Sequence, residues 1–229
     1  VATRAVEMVI RKVEENGIAV AATRYHGHVG SVGIYARMAL ARSLVTFAFA
    51  GGRDWILPAE PDVTIWNAMK SPPMCIAIPT ADGPPFVLDM SLNFFRGWRM
   101  EEAANQFPEA VIKSLGLKFA ATPLGGILAG SVADVEVDKS YTAATRGFLM
   151  ITLKPDLFGD AAAFQAEISR ILTASRTLPP AAGQVGAETP GSLEWKRERT
   201  WANEGIPLYP EHRRQLEALT REVGVSVPW

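Results

Sequence analysis

The sequence predicts an α/β fold in which helices cover a central sheet. Three observations carry the prediction. Over residues 5–50, apolar positions recur at helical spacing, then as an unbroken run, then at helical spacing, then as a run again. Further apolar runs at 74–78, 86–90 and 147–153 have the length of strands. Amphipathic stretches at 98–115 and 161–174 have the length of covering helices.

Each element has its own warrant. Ala5, Val6, Val9, Ile10 and Val13 form one helical face, and Gly17 follows as a stop. Residues 18–22 (IAVAA) suit a buried strand. A polar turn follows with Arg24, Tyr25, His26, Gly27, His28, Gly30, Ser31 and Gly33. Ile34, Tyr35, Met38 and Ala39 then fall at helical spacing, in a helix to about residue 42. Strand, glycine-rich loop, helix is where α/β proteins place ligands, because the first amides of a helix lack internal partners. Residues 44–50 (LVTFAFA) read as a second strand.

Residues 51–73 carry Pro58, Pro61, Pro72 and Pro73 and are expected over the surface or a pocket. Asp82-Gly83 marks a turn between the strands at 74–78 and 86–90. Asp89 closes the second of these, where capping the next turn and touching a ligand both stay open. The helix at 98–115 is interrupted near Pro108. Residues 124–130 (LGGILAG) read as small and flexible, and 147–153 as a strand. The helix at 161–174 carries Phe164, Ile168, Ile171 and Leu172 on one face. Residues 177–191 read as an extended arm, 192–203 as a charged helix and 211–223 as a last helix. One domain over 1–229 is expected, with 177–229 as an arm and helices packing back on it.

The 229 residues are 48% hydrophobic and 21% charged, which fits a folded globular chain. A net charge of -1 gives no basis for nucleic-acid binding or for adsorption to anionic membranes. Cys75 is the only cysteine, so no internal disulfide forms, and it reads as a small buried side chain. No apolar run of about 18 residues is read, and no secretory pattern, so a cytoplasmic location is expected.

The candidate chemistry centres on His28, flanked by Gly27 and Gly30 at the mouth of a helix. Imidazole exchanges protons near neutral pH. Reduction of a ketone needs such a group, because hydride reaches carbon while a proton reaches oxygen. A solvated loop histidine is the plain alternative. His26 and His28 lack the companions of a metal site, so no metal is expected. Gly27, Gly30 and Gly33 are spaced G-x-x-G-x-x-G, which is not the Rossmann fingerprint. Lys196, Arg197 and Arg199 suit the extra phosphate of NADP, or simply form a solvated helix face.

The run GHVGSVGIYARMA at 27–39 resembles a block of the malate/L-lactate dehydrogenase family, the non-Rossmann NAD(P)-dependent 2-hydroxyacid dehydrogenases. DGPPFVLDMS at 82–91 is similar to a second block. PLGG at 123–126, LFGD at 157–160 and EGIPL at 204–208 follow in the same order. The resemblance implies an α/β fold with a mixed central sheet, a homodimer, and NAD or NADP in an extended cleft. It implies a small carboxylic acid as substrate, a 2-hydroxy or cyclic imino acid and its oxidised form. By resemblance, His28 is the acid–base residue. Asp89, Met90 and Ser91 match one cofactor-contacting block, Gly125 and Gly126 another, and Lys196, Arg197 and Arg199 lie in a helix beside the adenosine end.

The chain also departs from that pattern. Ala50-Gly51-Gly52 stands for Thr-Asn-Ser, and Ser71-Pro72-Pro73 for Thr-Asn-Pro. Gly126 leads to Ile127-Leu128-Ala129-Gly130, where the family continues His-Lys-Gly-Tyr-Gly into a helix. The aspartate partner of the histidine is missing, as is the family's N-terminal substrate-holding segment. Two further readings therefore stay open: a relative that lost the redox cofactor and performs a lyase or isomerase reaction, and a partial subunit completed by a second chain.

Overall fold

A computed structural model describes residues 1–52, 64–66, 68, 71–131, 144–183, 186–227 and 229. The elements are α1 (Ala2–Asn16), β1 (Ile18–His26), α2 (Val32–Leu40), β2 (Val45–Gly52), β3 (Pro73–Ile78) and β4 (Phe86–Ser91). They continue with α3 (Met100–Gln106), α4 (Pro108–Gly125), β5 (Arg146–Leu153), α5 (Ala161–Arg176), α6 (Ser192–Glu204) and α7 (Pro210–Val223). Two compact units result, Val1–Ser192 and Leu193–Trp229.

The first unit is built on a five-stranded sheet of order β1-β5-β2-β3-β4. Among the described residues every pairing is antiparallel, whereas the family resemblance had implied a mixed sheet. β5 is the central link: it pairs with β1 on one side and β2 on the other. The Asp82-Gly83 turn joins β3 and β4 as a hairpin, as its residue types require.

Alternation along the strands decides what each face receives. Ala48, Ala50, Cys75 and Ala77 point to one side with Phe148 and Met150, where Val6, Val9 and Val13 of α1 and Val32, Ala36 and Ala39 of α2 pack on them. Small strand residues let these two helices approach closely. Phe49, Met74, Ile76 and Met90 point to the other side, against Ala121 and Leu117 of α4. Gly17 ends α1 at φ 79°, its amide donating to the Val13 carbonyl at 2.8 Å.

Several expectations need correction. β1 runs to His26 rather than ending at residue 22, because its backbone stays paired with β5 as far as Arg146. Residues 124–130 are not a flexible loop: they are the last turn of α4 and a 3-10 turn, Ile127–Ala129. Of the predicted buried face of α5 only Leu172 is buried, while Phe164 and Ile171 are exposed. The helix turns Ser169 inward instead, where its hydroxyl accepts the amides of Ala81 and Asp82 at 3.0 and 3.2 Å. The span Pro108–Ala129 has by length and composition alone the hydropathy to cross a membrane, although Glu109, Lys113 and Lys118 interrupt it. In the fold it lies on the sheet as a covering helix, with Val111, Ser114, Lys118 and Ala121 buried.

Beside α4, Val87 at the edge strand β4 donates its amide to the Pro190 carbonyl at 3.0 Å, so the chain before α6 covers that edge. The second unit holds α7 and nearly all of α6. Within it, Arg213 Nε and Trp229 Nε1 both donate to Glu217, at 3.0 and 3.2 Å.

Lys118 is 1% exposed. Its Nζ donates to the Trp66 carbonyl at 2.5 Å and lies 4.3 Å from the centre of the Trp66 ring. Burial lowers its pKa from the usual 10.5. The unfolded chain then holds a proton that the folded protein releases earlier, so this group adds stability as pH rises from the lowered value towards 10.5. Denaturant melts of wild type and Lys118→Met across that interval are expected to diverge, with wild type gaining relative to the variant. Cys75 is fully buried, and burial, with Asp89 adding to it, pushes the thiol up to about 12. Iodoacetamide at pH 8 is expected to spare Cys75 in the native protein and to modify it after unfolding, read by mass spectrometry.

Candidate functional site

A cavity of about 120 Å³ opens where the loop after β1 meets the ends of two strands. Its walls are His28 and Val29 from the loop, Ala50 and Gly51 from β2, and Arg146 and Gly147 from β5, closed by Ser71 and Pro73. The volume is well under the ~300–1,000 Å³ of drug-sized pockets, so it admits the reacting end of a ligand rather than a dinucleotide.

The loop is held from two sides, by α2 and β4, and by a hydrogen bond within itself. Tyr35 in α2 packs its ring against Phe148, 5.2 Å between centres, and its hydroxyl donates to the Val29 carbonyl at 2.9 Å. Ser31 donates to the Asp89 carboxylate, which therefore stands at the N-terminal end of α2. Gly33 is required under it, because a Cβ there would meet Asp89 Oδ2 at 2.5 Å. The Gly30 amide donates to His28 Nδ1 at 2.9 Å. With Nδ1 accepting, the neutral ring carries its proton on Nε2.

Before the loop, β1 contains a bulge between Thr23 and His26. Tyr25 within it adopts φ 58°, a left-handed conformation that side chains other than glycine seldom take. Tyr25 is fixed there by its hydroxyl, which donates to the Gly130 carbonyl at 2.9 Å. His26 is buried: its Nδ1 faces the Gly27 carbonyl at 2.8 Å and its Nε2 the Thr23 hydroxyl at 2.8 Å. It is a packed, bonded histidine of the strand, while His28 is the one at the cavity.

The remaining expected site residues divide. Asp89 accepts from Ser31 of the histidine loop, a partner outside the turn after β4 that the sequence reading had offered it to cap. Ser91 is paired across the hairpin with Pro73, a cavity residue, and Met90 with Met74. Gly125 and Gly126 form the turn that presses α4 onto the sheet. A Cβ on Gly125 would meet the Gly51 amide nitrogen at 2.5 Å, and one on Gly126 the Gly52 Cα at 2.7 Å. Their identity follows from backbone contact with the strands that frame the cavity. PLGG thus ends a helix, although the resemblance had aligned it before one. Lys196, Arg197 and Arg199 are exposed on α6, with Arg199 stacked 4.7 Å over the Trp195 ring.

Sequence reasoning missed Arg146. The signal was present: an arginine immediately precedes the apolar run at 147–153, on the strand the reading began one residue late.

Residues 1–106 and 99–217 match the malate/L-lactate dehydrogenase family, so the chain belongs to that family. L-sulfolactate dehydrogenase of Methanocaldococcus jannaschii is 23% identical, across 99% of this chain and 73% of that protein. The same-named enzyme of Methanothermobacter thermautotrophicus is 22% identical over equal shares. Malate dehydrogenase from Pyrococcus horikoshii OT3 superposes with a TM-score of 0.78, at 21% identity, over 98% of this chain and 71% of that one. Δ1-piperideine-2-carboxylate reductase from Pseudomonas syringae gives 0.62, at 19% identity, over 94% and 72%. The family makes the chain an oxidoreductase of the 2-hydroxyacid dehydrogenase type.

Gly125→Ala is expected to lower stability by about 1–3 kcal/mol, through overpacking against the β2 backbone. Thermal denaturation measures it; an unchanged midpoint would mean that α4 stands off from the sheet.

Proposed function

We propose that the protein interconverts a small 2-hydroxy acid, or cyclic amino acid, and its 2-oxo or imino form with NAD or NADP, and that His28 is the acid–base residue. The observation that carries the reading is an imidazole at the wall of a 120 Å³ cavity, on a loop held by Tyr35, Asp89 and Ser31. His28 Nε2–H is the ring's donor to a substrate oxygen or nitrogen. For the ring to part with that proton, Nδ1 must take one up, which displaces the Gly30 amide. The loop geometry and the proton transfer are therefore linked.

A nicotinamide bound beside the cavity would supply the hydride chemistry at the neighbouring carbon. The residues fit such a group in part. Ser91 and Met90 are level with the cavity strand and are proposed to contact the cofactor, with Lys196, Arg197 and Arg199 offering cations of the kind phosphate needs. Asp89, Gly125 and Gly126 already have structural partners, so the proposal leaves them out. A homodimer is the proposed assembly, as in the family the chain resembles. The engagement of those three residues favours one second reading, a reaction at the same cavity without a nicotinamide.

Titration with NADH and NADPH, followed by tryptophan fluorescence and melting temperature, is expected to show binding of at least one. His28→Gln should retain that binding and lose about 10²–10⁴-fold in turnover of 2-oxo acids. Turnover at the wild-type rate in His28→Gln removes the histidine from the chemistry. Absence of binding by both cofactors, with activity persisting in their absence, selects the second reading.

A further inference from the structure

We infer that Arg146 binds the substrate's carboxylate and makes the cavity selective for small 2-oxo acid anions. The inference rests on the acid–base reading of His28 and assigns the other half of the ligand.

Among the described residues that line the cavity, Arg146 is the one arginine or lysine. An arginine side chain is a cation with five donors and no acceptor, and none of the described residues lining the cavity is an aspartate or glutamate. Apart from His28 and Ser71, the other described lining residues are glycines and small or apolar residues. A half-buried guanidinium favours an anion with two oxygens in one plane, and a carboxylate matches its fork. Arg146 also has an interaction within the protein, which the ligand would share; five N–H donors allow both.

The backbone around Arg146 is built for accuracy. Arg146 opens β5, an interior strand, and is paired on both sides, with His26 of β1 and Gly52 of β2. The β1 bulge ends opposite it, with Tyr25 held at φ 58°. An extra residue in a strand shifts the pleat beyond it, a common device for re-aiming side chains at sites. Beyond this bulge the chain turns into the His28 loop. Two donors of different kind thus share one small cavity: a fixed cation on a strand and a neutral N–H on a loop. A 2-oxo acid carries the matching pair, a carboxylate and a carbonyl oxygen on adjacent carbons. An uncharged ketone would leave the guanidinium without its anion and should be rejected.

The test is ligand binding, with and without NADH, by calorimetry. The probes are pyruvate, oxaloacetate and the uncharged methyl ester of pyruvate. Wild type is expected to bind at least one acid and to bind the ester much more weakly. Arg146→Met should lose about 100-fold in acid affinity while ester binding changes little. Arg146→Lys, which keeps the charge and loses the fork, should fall between them and covers the case in which Arg146→Met does not fold. In turnover the loss should appear chiefly in KM. Acid binding by Arg146→Met within threefold of wild type would overturn the inference, as would a wild type that binds neither acid. Arg146-dependent acid binding without any nicotinamide binding would keep the inference and remove the dehydrogenase reading.

Discussion

Helix α4 meets strands β2 and β5 backbone to backbone, and the candidate site depends on that contact. Gly125 and Gly126 press on Ala50, Gly51 and Gly52, and Gly147 lies against Gly125 and the Thr23 carbonyl. Side chains are excluded at each of these places, because an added Cβ would stand within 3 Å of main-chain atoms. The same exclusion makes the cavity. Gly51 and Gly147 line it without filling it, so a hollow remains at the strand ends although the rest of the sheet is closely packed.

The histidine loop is an extension of the core rather than an independent surface feature. Tyr35 spans the two: its ring lies on buried Phe148 and its hydroxyl holds the Val29 carbonyl. Asp89 comes from β4, at the far side of the sheet order from β1, and takes the Ser31 hydroxyl. Contacts from α2 and β4 therefore restrict where the imidazole can go. The restriction matters because proton transfer is sensitive to heavy-atom distance.

Strand and helix types were legible because apolar periodicity is a local property. Val6, Val9 and Val13 announced α1, and the run at 147–153 announced β5. His28 was legible for the same reason, through its glycine neighbours and the resemblance they carry. What depends on partners distant in sequence was not. β1 extends to His26 because β5 pairs with it, and nothing in the polar string from Thr23 to His26 says so. Gly125 and Gly126 lay in a stretch read only as small and flexible, and contact with β2 explains them as a helix end. Arg146 was overlooked since its significance lies in sharing a cavity with a residue more than a hundred positions earlier. The inward turn of Ser169 in α5 replaced hydrophobic burial with two hydrogen bonds, which a helical wheel cannot foresee.

The position of β5 has a consequence for how the chain reaches this state. The strand that links β1 to the rest of the sheet is made late: Thr23 in β1 and Phe148 in β5, neighbours in the sheet, lie 125 residues apart along the chain. During synthesis β1 waits on the order of ten seconds for its partner to leave the ribosome. Until then β1 and β2 cannot join, and both present unpaired edges. Such long-range pairing makes refolding slow, in the millisecond-to-second range or beyond. In the interval before β5 arrives, those unpaired edges are open to pairing with other chains.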